Sequence, residues 1–110
     1  MTVAELRGIL AKVQEPKGYY FNHDSQLTDS VLEQLLANKD RYGYMACPCR
    51  LANGEREKDS DILCPCEYRA ADVAEYGTCF CGLYVNQEYN QQQKPALDIP
   101  DRRPASKILL

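Results

Sequence analysis

The chain has 110 residues, 45% of them hydrophobic, and a formal net charge of -3, which is the size and composition of one domain with a modest core. This composition excludes global disorder and gives no basis for binding nucleic acid through bulk charge. No apolar run approaches the roughly 18 residues that a membrane span needs. Glu5, Arg7 and Lys12 interrupt the first segment, so a signal peptide is not expected. We therefore expect a single domain over residues 1–110, located in the cytoplasm, with no nucleic-acid or membrane partner.

An amphipathic helix is predicted at the start of the chain, over residues 3–14. Thr2 is its expected N-cap, with Glu5 three positions later as in a capping box. Pro16 and Gly18 end the pattern. The predicted apolar stripe recurs at three and four residues and contains Val3, Leu6, Ile9, Leu10 and Val13.

A second helix is predicted to begin at Thr28 and to run towards Arg41, with Gly43 ending it. Between the two helices, the aromatic segment 18–22 is expected to pack against the core as an extended arm. The cysteines that follow Gly43 should therefore lie on an irregular segment just beyond a helix end.

The second half of the chain predicts shorter elements. Residues 50–61 are too polar for a core and indicate a solvated loop or a short helix. Residues 67–76 have helical composition and end at Gly77. Residues 82–85 predict a short extended segment, and residues 86–110 form a proline-containing tail that is mobile unless it docks. The predicted fold class is mainly α, a small single domain of short helices with irregular cysteine-bearing loops.

All six cysteines fall into three pairs with one intervening residue, which are Cys47/Cys49, Cys64/Cys66 and Cys79/Cys81. In a chain without an export signal, such cysteines are expected to be metal ligands and redox thiols. A 4Fe-4S cluster needs four thiolates and thiol-disulfide exchange needs two more, so six cysteines satisfy both requirements. Four ligands can be chosen from six cysteines in 15 ways, and spacing does not select among them.

Zinc is the alternative metal. Structural zinc sites typically space their ligands as Cys-x-x-Cys, whereas every pair here has one intervening residue. A zinc-stabilised interaction module is thus the weaker hypothesis.

The cysteine pairs belong to a longer series of motifs: Gly18-Tyr-Tyr-Phe21, Lys39-Asp-Arg-Tyr-Gly43, Cys47-Pro-Cys-Arg50, Cys64-Pro-Cys66 and Cys79-Phe-Cys-Gly-Leu-Tyr-Val85. Over residues 18–85 the chain resembles the catalytic (beta) subunit of ferredoxin:thioredoxin reductase. The order and identity of all three pairs match. Members of that family use a 4Fe-4S cluster to pass single electrons from ferredoxin to a neighbouring disulfide, which reduces thioredoxin.

The resemblance implies a role for each cysteine. Cys49 and Cys81 would form the active-site disulfide, with Cys49 attacking the disulfide of a thioredoxin-like substrate. A ferredoxin-like protein would donate electrons, and a second, noncatalytic subunit is a possible partner. The alternative function is an electron-transfer or cluster-carrier protein without a catalytic disulfide. The implied ligands of the 4Fe-4S cluster are Cys47, Cys64, Cys66 and Cys79.

One departure from the family concerns protons. Phe80 occupies the position where plant and cyanobacterial enzymes have a histidine, and a phenyl ring cannot transfer a proton. The only histidine, His23, lies in a polar turn, and water, Glu67 or a tyrosine could replace the missing donor.

The charged residues near the cysteines allow two interpretations. Arg50 follows Cys49, where its charge either favours the thiolate or is simply solvated. A basic surface patch would steer an acidic ferredoxin, but acidic residues interleave with the basic ones and favour mixed, solvated charge. The residues concerned are Arg41, Arg56, Lys58 and Arg69 with Glu55, Glu57, Asp59 and Asp61.

Overall fold

The structure is a computed structural model and describes residues 1–95 and 98–108. Helices predominate in it, and the two strands are short, as the sequence predicts. Two short 3-10 helices, Glu15–Lys17 and Ser60–Ile62, lie between the α-helices and strands. In chain order the elements are α1 (Val3–Gln14), β1 (Tyr20–Phe21), α2 (Ser25–Tyr42), α3 (Arg69–Tyr76), β2 (Tyr84–Val85), α4 (Gln87–Gln91) and α5 (Ala105–Ile108).

Helix α1 has the predicted bounds but not the whole predicted apolar face. The Thr2 hydroxyl accepts a hydrogen bond from the Glu5 amide at 3.1 Å, which confirms the N-cap. Leu6 is buried against α2, whereas Ile9 and Val13 are 50% and 47% exposed. Gln14, at the end of the helix, is buried instead, and its Oε1 accepts a hydrogen bond from Arg69 of α3 at 2.8 Å. The predicted apolar face is therefore only partly the buried face.

Helix α2 begins at Ser25, so the predicted start at Thr28 is wrong. The Asp24 carboxylate accepts from the Leu27 amide at 3.2 Å and caps the helix. Thr28 is buried one turn inside the helix and donates its hydroxyl to the Asn22 carbonyl at 3.0 Å. Gly43 ends the helix with a φ of 86°, as predicted.

The aromatic arm is a β-strand. β1 pairs antiparallel with β2, in a register that places Tyr20 opposite Val85 and Phe21 opposite Tyr84. The prediction of an extended arm at 18–22 is thus confirmed for residues 20–21, and that of an extended segment at 82–85 for residues 84–85, because Gly82 belongs to the preceding turn. This pairing connects the first third of the chain directly to the strand that follows the last cysteine pair.

Two apolar clusters form the core, and cysteines belong to both. Cys79 lies in the larger cluster and Cys47 in the smaller one, while Cys81 packs against both of them. The cysteine site therefore lies where the two clusters meet. The other buried members of the larger cluster are Leu6, Val31, Leu32, Leu35, Val73, Leu83 and Tyr84, and those of the smaller one are Tyr44, Ala46 and Ile62.

The polar segment 50–61 is only partly a solvated loop. Asp59 and Asp61 are 0% and 1% exposed, which corrects their assignment to solvated surface charge. Arg103 of the tail donates to Asp61 from Nε at 3.0 Å, so the described part of the tail is docked. The burial is tolerated because each charge has an opposite charge and hydrogen bonds. Within the described residues, no helix combines the length and apolar character required to cross a membrane.

Candidate functional site

The first two cysteine pairs are held side by side by backbone hydrogen bonds. The Cys47 amide donates to the Ile62 carbonyl at 2.8 Å, and the Cys64 amide donates to the Met45 carbonyl at 2.8 Å. The Cys64–Pro65 peptide bond is cis. These bonds bring the segments before both Cys-Pro-Cys motifs together, although the motifs are separated by a long polar loop.

The third pair lies on a tight turn. The Cys79 amide donates to the Tyr84 carbonyl at 2.9 Å, and the Gly82 amide donates to the Cys79 carbonyl at 3.0 Å. Gly82 has a φ of 79°, a left-handed conformation that favours glycine, and a Cβ added there would lie 3.5 Å from Leu27. The Tyr84 amide also donates to Cys79 Sγ at 3.3 Å. The turn thus fixes the sulfur of Cys79 on the inner side.

Five of the six cysteines line one cavity, and the sixth, Cys49, is exposed. Across residues 1–95 and 98–108, no three metal-binding side chains converge on a single ion position. The sulfurs are instead distributed around the cavity wall. Its lining residues are Cys47, Cys64, Cys66, Cys79 and Cys81 with Pro65, Arg69 and Tyr84.

Cys81 is the central thiol of the group. Its sulfur lies 3.7 Å from Cys79 Sγ, and its side chain packs against both apolar clusters, the smaller of which contains Cys47. Interaction with the thiols of Cys47, Cys49 and Cys79, together with burial, raises the pKa of Cys81 well above that of a free thiol. The same interaction lowers the pKa of Cys47 and of Cys49. All six cysteines are free thiols in this structure.

The other thiols differ in their surroundings. The hydrogen bond with Cys81 and the amides of the 79–84 turn lower the pKa of Cys79 to about 7, against the opposing effect of burial. Burial, followed by the neighbouring thiolates, raises the pKa of Cys64 and of Cys66. A bound metal would have to displace their protons, because the thiolate is the ligand form.

Arg50 is buried beside the cysteine loops, so the solvated interpretation is wrong. Its side chain is 0% exposed, and its guanidinium carbon lies 4.4 Å from the Phe80 ring centroid and 4.9 Å from that of Tyr68. It forms an ion pair with Asp101 of the tail. Its charge also contributes to the lowered pKa of Cys49, after the hydrogen bond with Cys81.

Arg69 is a second buried arginine, which corrects its assignment to the charged surface. Its guanidinium carbon lies 3.8 Å from the Tyr19 ring centroid and 4.8 Å from that of Tyr84. Its Nη1 donates to Gln14 Oε1 at 2.8 Å, and its side chain lines the cysteine cavity. The sequence did not predict that Arg69 is buried in the cavity wall. The one signal for it was the aromatic segment 18–22, which is far from Arg69 in the chain.

The candidate proton donors differ in their location relative to the cysteine cavity, in their hydrogen bonds and in their exposure. His23 Nε2 donates to the Lys94 carbonyl at 2.8 Å, and its ring lies against Tyr89, away from the cavity wall. The Tyr68 hydroxyl donates to Asp61 at 2.7 Å. Burial and this hydrogen bond raise the pKa of Tyr68 to about 12, which makes it a poor proton source at neutral pH. Glu67 is exposed.

A second cavity shares Cys64 with the first one. Lys39 and Arg56 contribute positive charge to its wall. The remaining lining residues are Tyr44, Met45, Leu63 and Cys64. One thiol of the site thus also borders a cavity with basic residues.

The chain matches a family model over residues 1–101, and the description of that family is ferredoxin thioredoxin reductase catalytic beta chain. The chain belongs to this family. Three relatives carry the name ferredoxin-thioredoxin reductase, catalytic chain. The one from Guillardia theta is 32% identical over 71 residues, which cover 63% of this chain and 66% of the relative. The one from Pyropia yezoensis is 33% identical over 73 residues, or 64% and 60% of the two chains.

The relative from Synechocystis is 30% identical over 101 residues, which cover 90% of this chain and 81% of the relative. The matches to the Guillardia and Pyropia reductase chains span less than two thirds of those relatives, 66% and 60% respectively. Membership in the ferredoxin-thioredoxin reductase family agrees with the resemblance predicted from the cysteine motifs. It makes the cysteine cavity, with Cys49 beside it, the candidate site of redox chemistry.

Proposed function

We propose that this protein is a ferredoxin-dependent disulfide reductase. In this proposal a Cys49–Cys81 disulfide would receive single electrons by way of a 4Fe-4S cluster held by the other four cysteines, and the resulting dithiol would reduce a thioredoxin-like protein. The observation that carries it is the position of Cys81, which lines the cavity together with Cys47, Cys64, Cys66 and Cys79 and whose sulfur lies 3.7 Å from Cys79 Sγ. Its proposed disulfide partner, Cys49, is exposed.

The residues present fit a 4Fe-4S cluster. Such clusters are held by four cysteine thiolates, and the cavity is lined by the four cysteines assigned to that role, Cys47, Cys64, Cys66 and Cys79. No carboxylate or histidine lines the cavity. Arg69 in the wall supplies positive charge that favours an anionic cluster. When bound, the cluster supplies one-electron transfer, which disulfide chemistry alone does not provide.

The remaining two cysteines suit thiol-disulfide exchange. Cys49 is exposed, and the hydrogen bond with Cys81 lowers its pKa, as an attacking thiol requires. Its thiolate attacks a substrate disulfide, forming a mixed disulfide and releasing one substrate thiolate. Cys81 then attacks the sulfur of Cys49, which releases the second substrate thiolate and restores the Cys49–Cys81 disulfide. Two electrons pass to the substrate, and two further electrons from the donor reduce the restored disulfide.

The electron donor would dock at the second cavity. Lys39 and Arg56 lie in its wall together with Cys64, and positive side chains accelerate association with an acidic ferredoxin-like protein. The donor would thus approach Cys64 while the substrate approaches Cys49.

The relatives are named catalytic chains, and we propose that a second, noncatalytic chain can accompany this one too. We propose a cytoplasmic location, because the cysteines are assigned to a metal site and a redox-active pair and not to a disulfide framework.

The decisive experiment is an electron-transfer assay on anaerobically purified protein. We expect iron and sulfide in equal amounts, and reduction of thioredoxin that requires ferredoxin. Cys49→Ser should abolish thioredoxin reduction and keep the iron, whereas the matched variant Cys64→Ser should lose iron. A colourless protein that contains zinc would refute the proposal. Iron binding without any reducible disulfide would instead identify an electron carrier.

A further inference from the structure

The two cysteines of the proposed disulfide lie in two short turns. The turn over residues 47–50 is closed by a hydrogen bond of 3.2 Å from its last amide to its first carbonyl, and Cys49 is its third residue. The turn over residues 79–82 is closed in the same way at 3.0 Å, and Cys81 is its third residue. A disulfide requires Cα atoms about 4.4–6.8 Å apart. The two turns must therefore be held against each other when this bond forms.

The side chain of Arg50 joins the two turns. Arg50 is the residue after Cys49, and Phe80 is the residue before Cys81. The guanidinium carbon lies 4.4 Å from the centroid of the Phe80 ring, a distance at which the face of an aromatic ring attracts a cation. The chain neighbour of one redox cysteine thus contacts the chain neighbour of the other.

The guanidinium is anchored from three further sides. The Arg50 side chain is 0% exposed and forms ion pairs with Asp101 of the tail and with Asp72 of α3, whose Oδ2 lies 3.8 Å from Nη2. The centroid of the Tyr68 ring lies 4.9 Å from the guanidinium carbon. Although Cys49 is exposed, the residue that follows it is therefore fixed in the interior of the protein.

We propose that Arg50 and Phe80 are positioning residues that hold Cys49 within bonding reach of Cys81 and thereby stabilise the disulfide between them. The inference rests on the proposed function, since it requires that disulfide. The contact is present while the thiols are free, so the two turns lose little further freedom when the sulfurs bond. Phe80 then contributes to the thiol chemistry without transferring a proton.

The test is the equilibrium of the anaerobically purified protein with reduced and oxidised dithiothreitol. As the Cys49–Cys81 bond forms, the two thiols give up two electrons and two protons, which open the cyclic disulfide of oxidised dithiothreitol to the dithiol. After an acid quench, alkylation and mass spectrometry measure the fraction of protein with this disulfide.

Phe80→Leu is the primary variant, because it removes the aromatic face and leaves the ion pairs of Arg50 in place. We expect it to lower the equilibrium constant for disulfide formation about tenfold, which corresponds to about 30 mV for this two-electron couple. Phe80→Tyr keeps the aromatic face and should retain the wild-type constant. An unchanged constant in Phe80→Leu, or an equal decrease in Phe80→Tyr, would overturn the inference.

A double variant tests whether the two residues act through one contact. Arg50→Gln removes the cation and should also lower the constant, and the combination with Phe80→Leu should be no worse than Arg50→Gln alone. Additive decreases would overturn the inference. Because Arg50→Gln also breaks buried ion pairs, its iron content and circular dichroism must match the wild type, and otherwise the Phe80 variants decide the outcome.

Phe21→Leu is the matched control. Phe21 is the other phenylalanine of the chain, and the guanidinium carbon of Arg7 lies 5.8 Å from its ring centroid. Neither residue is next to a cysteine in the chain, so this variant should retain the wild-type constant. A decrease equal to that of Phe80→Leu would overturn the inference, because it would attribute the effect to lost packing.

The failure of the inference and the failure of the proposed function give different results. Wild-type protein that forms no Cys49–Cys81 disulfide at any ratio of oxidised to reduced dithiothreitol would refute the proposed function. Wild-type protein that forms it with the same equilibrium constant as Phe80→Leu would refute only the positioning role.

Discussion

The helical half of the molecule, residues 1–43, and the cysteine-bearing half, residues 44–95 and 98–108, share the larger apolar cluster but differ in the amount of charge that they bury. In the first half, α1 packs on α2 through apolar side chains, with Leu6, Leu32 and Leu35 buried. In the second half, charged groups take part in the interior, and Asp59, Asp61 and Arg103 are all buried. Because buried ions contribute mainly when they are paired, the redox site depends on interactions between residues far apart in the chain.

The difference in buried charge between the two halves follows from the thiols of the cysteine-bearing half. A cavity that holds several thiolates favours nearby cations, and Arg50 and Arg69 supply them from the interior. A purely apolar half would leave such thiolates without compensation. The helical half carries no such requirement, and it can be built by the usual apolar periodicity.

Removal of a buried carboxylate should have the largest effect on stability. Asp61→Ala removes the carboxylate that Arg103 bonds through Nε and Nη2 and leaves it only Asp59, 3.5 Å from Nη2. Breaking one side of a buried pair costs about 3–5 kcal/mol. Urea denaturation at neutral pH would measure the free energy of unfolding. A loss below about 1 kcal/mol would show that the ion pair does not stabilise this half, and Arg103→Ala should cause a loss similar to that of Asp61→Ala.

Removal of a core side chain should have a slightly smaller effect in the helical half. Leu32 is 0% exposed, and Leu→Ala changes at such positions cost about 2–5 kcal/mol through lost apolar contacts and a cavity. The same urea denaturation measures it. The decrease should be equal at pH 7 and pH 5, because no titrating group is involved, and a pH-dependent loss would contradict the comparison.

Acid should weaken the cysteine-bearing half in particular. Burial opposes ionisation of Asp59 and Asp61, but hydrogen bonds from Tyr44, Asn53 and Gly54 to the first, and from Tyr68 and Arg103 to the second, lower the pKa of both carboxyls. The unfolded chain, with aspartate pKa values near about 3.9, then binds more protons than the native state. The stabilisation is complete above that value and is lost as pH falls towards the lower folded pKa.

Denaturation midpoints measured from pH 6 to pH 2.5 would test this pH dependence. Asp59→Asn should flatten the acid limb of the wild-type curve, because one of the two carboxyls no longer titrates. Asp24→Asn is a matched control at an exposed helix cap. If it flattens the curve as much as Asp59→Asn, the acid sensitivity does not arise from the buried carboxyls.

The two halves also differ in what the sequence predicts. The bounds of α1 follow from local signals, which are apolar spacing and a capping threonine, and Gly43 ends α2 where expected. The burial of Arg50 and Arg69 does not follow from local signals. Their partners are Asp101 and Tyr19 respectively, about 50 residues away in each case, and no pattern within a short window contains such information. The same limitation made Asp59 and Asp61 resemble solvated charges.

The roles of the cysteines could be predicted better than the burial of the arginines, but less directly than the bounds of the helices. Spacing alone left 15 choices of ligands among six cysteines, and the family resemblance selected one. The cavity contains those four sulfurs with Cys81, and it leaves Cys49 exposed. Sequence reasoning did not find the role of Phe80 as a surface for Arg50, because it considered that position only as the site of a missing proton donor.

The smallest loss of stability is expected when an exposed salt bridge is broken instead of a buried one. Arg7 of α1 and Asp29 of α2 form a salt bridge whose side chains are 40% and 50% exposed. Because water and salt screen such a pair, Asp29→Asn should cost at most about 1 kcal/mol, and less in 1 M salt. Arg7 also lies 5.8 Å from the Phe21 ring centroid, a contact that Asp29→Asn leaves in place. Urea denaturation at low and high salt would measure the cost, with Asp61→Ala as the buried reference. The same arginine–carboxylate chemistry should thus differ severalfold in free energy between the two halves, and equal losses would show that burial does not distinguish them.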